Sequence, residues 1–264
     1  MISALSNFVT LQQFNRIGLI IGRAAFVAPN SKARIPAYQL ELDFGAALSS
    51  EHHSLHGKER YTSSAQLCSN HSVEEITHQL LMCVFNFPRK QIGKMMSDCL
   101  VTGVQKNLEN PDEKRATTVF MRPSSKVPLG SKIGLLAEST IHSTNTRDLM
   151  WDEFTQLDLR IGTIVSRPQS IKSTSCPISS DQIESRLMQI DLGSDGIKEA
   201  VGFFGQELVQ KDLLGHQVMV LTNLSPLEIR EFSGDTSATI IICTVAGRAL
   251  IEPAKKVENG YKLA

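Results

Sequence analysis

The sequence predicts an all-β protein made of two copies of one small barrel. The main observation is an internal echo, because PSSKVPLGSKI (123–133) recurs as PAKKVENGYKL (253–263) and YQLELDFG (38–45) recurs as RLMQIDLG (186–193). The second observation is that short runs rich in branched and aromatic residues are bounded by Gly, Pro or Asn, which is typical of strands. Two segments with one order of elements indicate a repeated domain rather than a single large fold.

The elements of the first copy follow in the order of one known barrel type. YQLELDF places Leu40, Leu42 and Phe44 on one face of a strand, and LMCVFNF, CLVTGV and TTVFM are further strands. Ser72 and Glu75 have the spacing of a capping box and predict one helical turn between the third and fourth strands. About five strands with that single helix is the order of an OB barrel, a fold that binds nucleic acids or sugars on one face.

Domain boundaries follow from the two copies. Residues 137–148, AESTIHSTNTRD, form a polar Ser- and Thr-rich stretch suited to a linker. The sequence therefore predicts one OB domain over 1–140 and a second, divergent OB domain over 141–264.

Charge is unequally divided between the copies, although the chain as a whole carries 27 Lys and Arg against 27 Asp and Glu. Residues 1–140 carry 15 basic against 11 acidic residues, and the remainder carries 12 against 16. A polyanion responds to such local fields rather than to the net charge. A neutral total argues against very tight nonspecific binding of nucleic acid.

The sequence favours a cytoplasmic protein without metal or cofactor. Its five cysteines form no CxxC pair, which argues against a disulfide framework or a zinc ribbon. No secretory signal or membrane-length apolar run is present, and organelle targeting by the first dozen residues is the alternative. His52, His53 and His56 lie in one loop without the fixed spacing of metal ligands, so we interpret them as a polar insertion.

The sequence contains none of the common catalytic motifs. There is no GxSxG elbow, Walker loop or HExxH helix. The adjacent Glu74 and Glu75 are explained by helix capping. We therefore expect a protein that is not an enzyme.

Several motifs resemble one family. RIPAYQLELDFG, TSSAQL, SVEEI, NFPRKQIGKMMSDCLVTG and KVPLGSKI, all within residues 21–135, are similar in order and spacing to CsaA-type secretion chaperones and to the tRNA-binding domains of methionyl- and phenylalanyl-tRNA synthetases. The second copy resembles the wider family more loosely, through DLRIGTIV (158–165) and the closing KVENGYKLA. CsaA-type proteins are homodimers of one such domain. The resemblance thus implies two OB barrels in tandem that form an intrachain pseudo-dimer, and a monomeric chain.

The two copies differ where the family pattern matters. The opening motif DLRIG is intact at 158–162, whereas the first copy has GLIIG at 18–22. The first copy alone keeps the polar strand SSAQ (63–66), which aligns with AVGF (200–203) in the second. The basic loop around residue 90 is likewise confined to the first copy, because the aligned stretch of the second begins with Pro226 and Leu227.

The resemblance and the residues together predict an RNA-binding site in the first copy. Cations in the loop suit phosphate contacts, and hydroxyl and amide groups both donate and accept hydrogen bonds, as sugar and base edges require. Asn86 recurs as Asn223, which fits a structural role at a strand end at least as well as ligand contact. The candidate RNA-binding residues are Ser63, Ser64, Gln66, Asn86, Arg89, Lys90, Lys94 and Ser97.

Apolar side chains near the same loop leave a second function open. We assign Tyr38, Phe87, Met95 and Met96 to a peptide groove or to the interface between the copies, because methionine conforms to varied partners. The expected partner is tRNA or another structured RNA, with neither DNA nor a membrane. The alternatives are a CsaA-like chaperone that binds unfolded or presecretory polypeptides, and a scaffold that docks on an aminoacyl-tRNA synthetase.

Overall fold

In the part of the chain that the structure describes, three β-sheets and a short hairpin are the main elements, and one sheet takes strands from both halves of the sequence. The computed structural model describes residues 8–45, 60–92, 95–106, 117–135, 149–171, 183–234 and 236–263. In the first half, the strands within those ranges are β1 (Leu19–Pro29), β2 (Tyr38–Asp43), β3 (Tyr61–Ala65), β4 (Leu80–Val84), β5 (Lys90–Ile92), β6 (Met95–Ser97), β7 (Leu100–Val101), β8 (Gly103–Lys106), β9 (Thr117–Pro123) and β10 (Ile133–Gly134).

The second half continues the numbering. Its strands are β11 (Leu159–Ile164), β12 (Gln169–Ser170), β13 (Ile183–Asp191), β14 (Ile197–Gly205), β15 (Gln217–Leu221), β16 (Ile240–Ile242), β17 (Thr244–Val245) and β18 (Ala249–Pro253). The helices of the described ranges are α1 (Leu11–Arg16), α2 (Val73–Ile76), α3 (Trp151–Thr155), α4 (Gln206–Val209) and α5 (Pro226–Ser233), with a 3₁₀ turn over Gly193–Asp195. None of these helices combines the length and apolar character that crossing a bilayer requires.

The first barrel is a sheet of order β3-β2-β1-β4-β7. Alternate residues of β2 are buried, as the sequence pattern predicts. The segment leading into β7 reaches the far edge of the sheet, where the N–H of Asp98 donates to the carbonyl of Thr62 in β3 over 2.8 Å, and this nearly closes the sheet. Helix α2 lies between β3 and β4 and has the predicted capping box between Ser72 and Glu75.

The second barrel is a sheet of order β11-β15-β16-β14-β13-β12. An additional antiparallel pairing of β11 with β13 closes five of these strands into a ring. Strands β14 and β16 run parallel. Side chains such as Ile190, Phe204 and Val220 fill the interior. The predicted fold class, mostly β with two barrel-like sheets, is confirmed.

A third sheet, of order β10-β17-β18-β9-β8, joins the two halves. The exchange is reciprocal, since Ile133 near the end of the first copy pairs with Val245, and Leu263 at the end of the second bridges to Val104. The largest core cluster also mixes residues of both halves, from Met121 to Leu221. The two copies therefore share sheet and core, and the boundary between 1–140 and 141–264 stays a prediction.

The pairing of β9 with β18 has local twofold symmetry. Arg122 stands opposite Glu252, Met121 opposite Pro253, and Pro123 opposite Ile251. In the repeated sequence Pro123 corresponds to Pro253, so Arg122 and Glu252 occupy equivalent positions. Equivalent residues meet in this way where a twofold axis passes between two strands. Here the two residues have opposite charge, and Arg122 Nη2 lies 3.1 Å from Glu252 Oε1.

A glycine and an asparagine that recur in both copies have the same structural role in each copy. Gly130 and Gly260 have φ of +76° and +86°, a backbone conformation that favours glycine. Asn86 and Asn223 each tie the end of a central strand to the start of their copy. The amide oxygen of Asn86 accepts from the N–H of Gly18 over 2.8 Å, and its nitrogen donates to the carbonyl of Arg16 over 2.8 Å. Asn223 makes the corresponding bonds over 2.9 and 2.8 Å.

His71 lies beneath the third sheet, with its ring centroid 4.6 Å from that of Phe120. The side chain is buried, and its Nε2 has no hydrogen-bond partner within the described residues. Burial, helped by the nearby Lys255 ammonium and opposed by Glu75, lowers the pKa of His71 to about 4. Lys255, from the second copy, lies 3.0 Å from Glu75 of the first.

We expect charge reversal at the symmetric pair to weaken the joint between the copies. Arg122→Glu or Glu252→Arg places like charges directly opposite, which should lower the free energy of unfolding by about 0.2–1 kcal/mol in urea denaturation. The double exchange restores opposite charges and should recover most of the loss. A double variant no more stable than the single ones would show that the pair contributes nothing.

Protonation of His71 should destabilise the fold in mild acid. The unfolded chain takes up the proton near the ordinary value of 6.5, whereas the folded chain does so near a pKa of about 4. The stabilising contribution of the neutral ring is therefore complete above pH 6.5 and is lost as the pH falls towards 4. His71→Phe should flatten the pH dependence of the melting temperature in that window. The exposed His216, changed to Phe, is the matched control, and equal flattening by both variants would contradict the assignment.

Candidate nucleic-acid interface

A groove of about 370 Å³ lies between the β1–β2 loop and the end of β3 in the first copy. Arg34 and Ile35 of the loop line one part of it, and Gln66, directly after β3, lines another. Gln105 of β8 and Trp151 of α3 complete this set. Because Trp151 belongs to the second copy, the groove is composite.

The predicted polar strand contributes only part of its length to this groove. Ser64 and Gln66 line it, but Ser63 is fully buried and its Oγ has no hydrogen-bond partner within the described residues. Ser64 Oγ accepts from the side-chain amide of Asn30 over 3.1 Å, and Ser97 Oγ accepts from the N–H of Ser64 over 3.2 Å. Ser64 and Ser97 thus mainly hold β3 in place, Ser63 is enclosed in the fold, and Gln66 is the half-buried member of the predicted set.

The basic loop is anchored from below by a buried carboxylate. Arg89 Nε lies 2.8 Å from Oδ1 of Asp98, whose side chain is fully buried. The other oxygen of Asp98 accepts from the N–H and the hydroxyl of Thr62, each over 3.0 Å. Arg89 therefore has a structural contact that the sequence did not predict. Lys94 lies outside the described residues.

Lys90 extends towards the second copy. Its ammonium lies 5.2 Å from the centre of the Trp151 ring, a cation–π contact. Phe87 packs on the same ring with a centroid separation of 5.6 Å, and against Phe154 at 5.9 Å. The structure therefore places Phe87 and Lys90 at the contact between the basic loop and α3.

A second cavity, of about 320 Å³, lies under that contact. Phe87, Leu100, Leu149, Met150 and Trp151 give it a largely apolar wall, and Arg89 and Lys90 also border it. Its wall comes from both copies, so it lies at the seam between them.

The remaining predicted apolar residues have separate positions. Tyr38 is buried in the core of the first barrel, where its hydroxyl donates to the carbonyl of His71 over 3.0 Å. The side chain therefore does not line the predicted peptide groove. The hydroxyl needs a buried partner, and that partner lies inside the barrel. Met95 is half-buried and Met96 is 42% exposed, both on β6 of the hairpin. Asn86 is buried with both ends of its amide bonded, away from solvent.

The corresponding face of the second copy is covered. The register of β13 with β14 places Ala200 where Ser63 stands in the first copy, because Met188 faces Ala200 as Leu40 faces Ser63. Phe203, at the position of Gln66, packs against Phe232 of α5 with ring centroids 5.9 Å apart. Helix α5 follows Asn223 as the β5–β6 hairpin follows Asn86, so an amphipathic helix, whose Ile229 and Phe232 are buried, replaces the basic hairpin.

Arg34, Gln105 and Trp151 line the groove but were not predicted from the sequence. Arg34 is exposed in the stretch SKAR, whose two cations are the signal that could have identified it. Gln105 and Trp151 are distant from β3 in sequence and reach the groove only through the third sheet and the contact between the copies. Trp151 is the single tryptophan of the chain, which is the signal that could have drawn attention to it.

Comparison with known proteins gives matches to parts of the chain. No family model matches. The chain is 30% identical over 115 residues to the methionine–tRNA ligase of Methanococcoides burtonii and 29% identical over 117 residues to that of Thermococcus kodakarensis. Each match covers 43% of this chain, but only 16% and 14% of the two ligases.

A solved structure also matches about half of the chain. The chaperone CsaA of Bacillus anthracis is 27% identical, covers 47% of this chain and 96% of its own, and has a TM-score of 0.37. The resemblance expected from the sequence is confirmed in this form: part of the chain is similar to methionine–tRNA ligases and to CsaA chaperones.

Proposed function

We propose that the chain is a non-catalytic RNA-binding protein that binds tRNA or a similar structured RNA in the composite groove of the first copy. The observation that carries the proposal is the position of this groove. In OB barrels the ligand face is formed by strands 2 and 3, flanked by the loop between strands 1 and 2 and the loop between strands 4 and 5. Arg34 lies on the first of these loops. Lys90 lies on the β5–β6 hairpin, which belongs to the connection between β4 and β7, the fourth and fifth strands of the barrel sheet, and Gln66 directly follows β3.

The chemistry of the groove suits an RNA backbone with exposed bases. Arg34 and Lys90 are exposed cations on its two flanking loops and can contact phosphates. Gln66 and Gln105 have amide groups that both donate and accept, as base edges and the 2′-hydroxyl require. The positive excess of residues 1–140 adds a favourable long-range field.

The similarity to two methionine–tRNA ligases supports tRNA as the ligand, since those proteins act on tRNA by name. The covered face of the second copy supports a division of labour in which the first copy binds the ligand and the second completes the groove and the core. We also propose that the protein is located in the cytoplasm.

A separate observation, the apolar cavity at the seam, supports a second candidate function. The apolar cavity at the seam could accept a hydrophobic side chain of an unfolded polypeptide, and CsaA is named a chaperone. Binding of RNA through phosphates weakens steeply as salt is raised, whereas burial of apolar groups does not. Salt dependence therefore separates the two functions.

The assembly of the chain follows from the intrachain pairing. Strands β9 and β18 already pair within one polypeptide, and the shared core is buried. We expect a monomer, and light scattering at micromolar concentration should give the mass of one chain. A stable species of two chains would contradict intrachain pairing in solution.

Removal of the two exposed cations should weaken binding of all tRNAs alike. We expect the double variant Arg34→Ala, Lys90→Ala to lower affinity in filter binding and to reduce the slope of log affinity against log salt by roughly 1 for each phosphate that is no longer neutralised. Arg89 is left in place, because its removal would take away a cation that lies 2.8 Å from the buried Asp98 carboxylate and would perturb the fold.

Lys256→Ala is the matched control, since Lys256 is an exposed cation on the turn after β18 of the second copy. It should leave both affinity and salt slope unchanged. Equal losses of affinity in the control and the double variant would contradict a site in the first copy. Binding of an unfolded polypeptide but not of tRNA would favour the chaperone function.

A further inference from the structure

We propose that Trp151 is a stacking platform for an unpaired RNA base, contributed by the second copy to the groove of the first. The inference rests on the proposed function and names the structural class of RNA segment that the groove binds. Trp151 is 45% exposed and lines both the composite groove and the seam cavity, so its ring forms part of the wall of each.

The Trp151 ring is supported from both sides of the seam. Phe154, one turn further along α3, lies with its centroid 5.6 Å from that of Trp151, and Phe87 lies at 5.6 Å from the first copy. Phe154 is itself buried in the core cluster shared by the two halves. An aromatic ring held in this way loses little conformational freedom on binding, which favours its use as a platform.

Packing alone does not explain a tryptophan at this position. In the first copy the buried Phe14 of α1 corresponds to Phe154 of α3, and Leu11 therefore corresponds to Trp151. Leu11 is half-buried, and its N–H donates to the carboxylate of Glu228 over 3.0 Å. A leucine thus suffices where the N-terminal helix docks on the other copy. The tryptophan adds a large, partly exposed aromatic surface on the side where the polar groove lies.

Lys90 connects this ring to the phosphate contacts. Its ammonium lies over the Trp151 ring in the free protein. A base that stacks on an aromatic ring contributes more to binding than a cation–π contact contributes at an exposed site, so a base can displace the ammonium. The displaced Lys90 is then beside the bound nucleotide and free to contact its phosphate. Arg34 and Gln66 lie along the same groove, where they can contact the neighbouring phosphate and the base edge.

The single tryptophan gives a direct measurement, because all tryptophan fluorescence of the chain comes from Trp151. Titration with a short single-stranded oligoribonucleotide, or with tRNA, should give saturable quenching. A blunt-ended duplex RNA has no unpaired base to offer and should quench little, even where it binds through phosphates. Equal quenching by duplex and single strand would overturn the proposal.

Substitution tests the contribution of the ring to affinity. Trp151→Leu, which introduces the residue type of the first copy, should weaken binding of a dye-labelled single strand between about 5-fold and about 100-fold, and Trp151→Phe should weaken it less. Phe26→Leu is the matched control, because Phe26 is a 48% exposed aromatic residue on β1 and lines neither cavity. Its affinity should equal that of the unmodified chain. The melting temperature of each variant checks that the fold is retained.

The outcomes separate this inference from the proposed function. If the unmodified chain retains tRNA on a filter but Trp151→Leu binds the single strand equally well, the stacking role is overturned and RNA binding stands. If no RNA is retained, both are overturned. If an unfolded polypeptide quenches Trp151 and loses affinity in Trp151→Leu while RNA does not, the ring belongs to a peptide site and the stacking role is overturned.

Discussion

Backbone pairing between β9 and β18 is the interaction on which the rest of the structure depends. It joins the two copies strand to strand, and the reciprocal contacts of Ile133 with Val245 and of Leu263 with Val104 extend the joint on both sides. The backbone groups on the facing edges of β9 and β18 are satisfied across the copies, and the largest core cluster lies beneath them. Each half thus completes its sheet with strands of the other. The contact between the basic loop and α3, and hence the composite groove, exists because the joint holds the copies in this arrangement.

Fusion of two copies in one chain permits differences that a symmetric pair of identical chains cannot have. On a true twofold axis a residue faces itself, so a charged residue there meets its own charge. Here Arg122 faces Glu252, and the two form an ion pair.

The opening motifs of the two copies, DLRIG at 158–162 and GLIIG at 18–22, also differ. Asp158 would have its pKa raised by burial, but hydrogen bonds from Arg160 and Thr222 hold the pKa below its usual value. The first copy has Gly18 and Ile20 at the positions of Asp158 and Arg160.

Features that depend on the local backbone could be predicted from the sequence. The repeat identified equivalent strands, Ser72 and Glu75 predicted α2, and the recurrence of Asn86 as Asn223 indicated a structural role. Side-chain burial on β3 was not predictable, because the short run SSAQ does not show that its serines face other strands instead of solvent. Nothing in the sequence indicated that Asp98 would lie beneath Arg89, nor that Trp151 would lie beside Lys90. These contacts join segments that are brought together by the barrel and by the joint between the copies, not by sequence spacing.

Helix α5 has a consequence for valency. A symmetric pair of barrels presents every surface twice, and a protein of that kind can hold two ligands or gain avidity from one ligand that reaches both sites. In this chain Phe203 and Phe232 cover the second copy of the face, so within the described residues the groove built around Gln66 occurs once. Under the proposed function, the duplicated barrel offers one such groove, whose lining comes mostly from one half and is completed by Trp151 of the other.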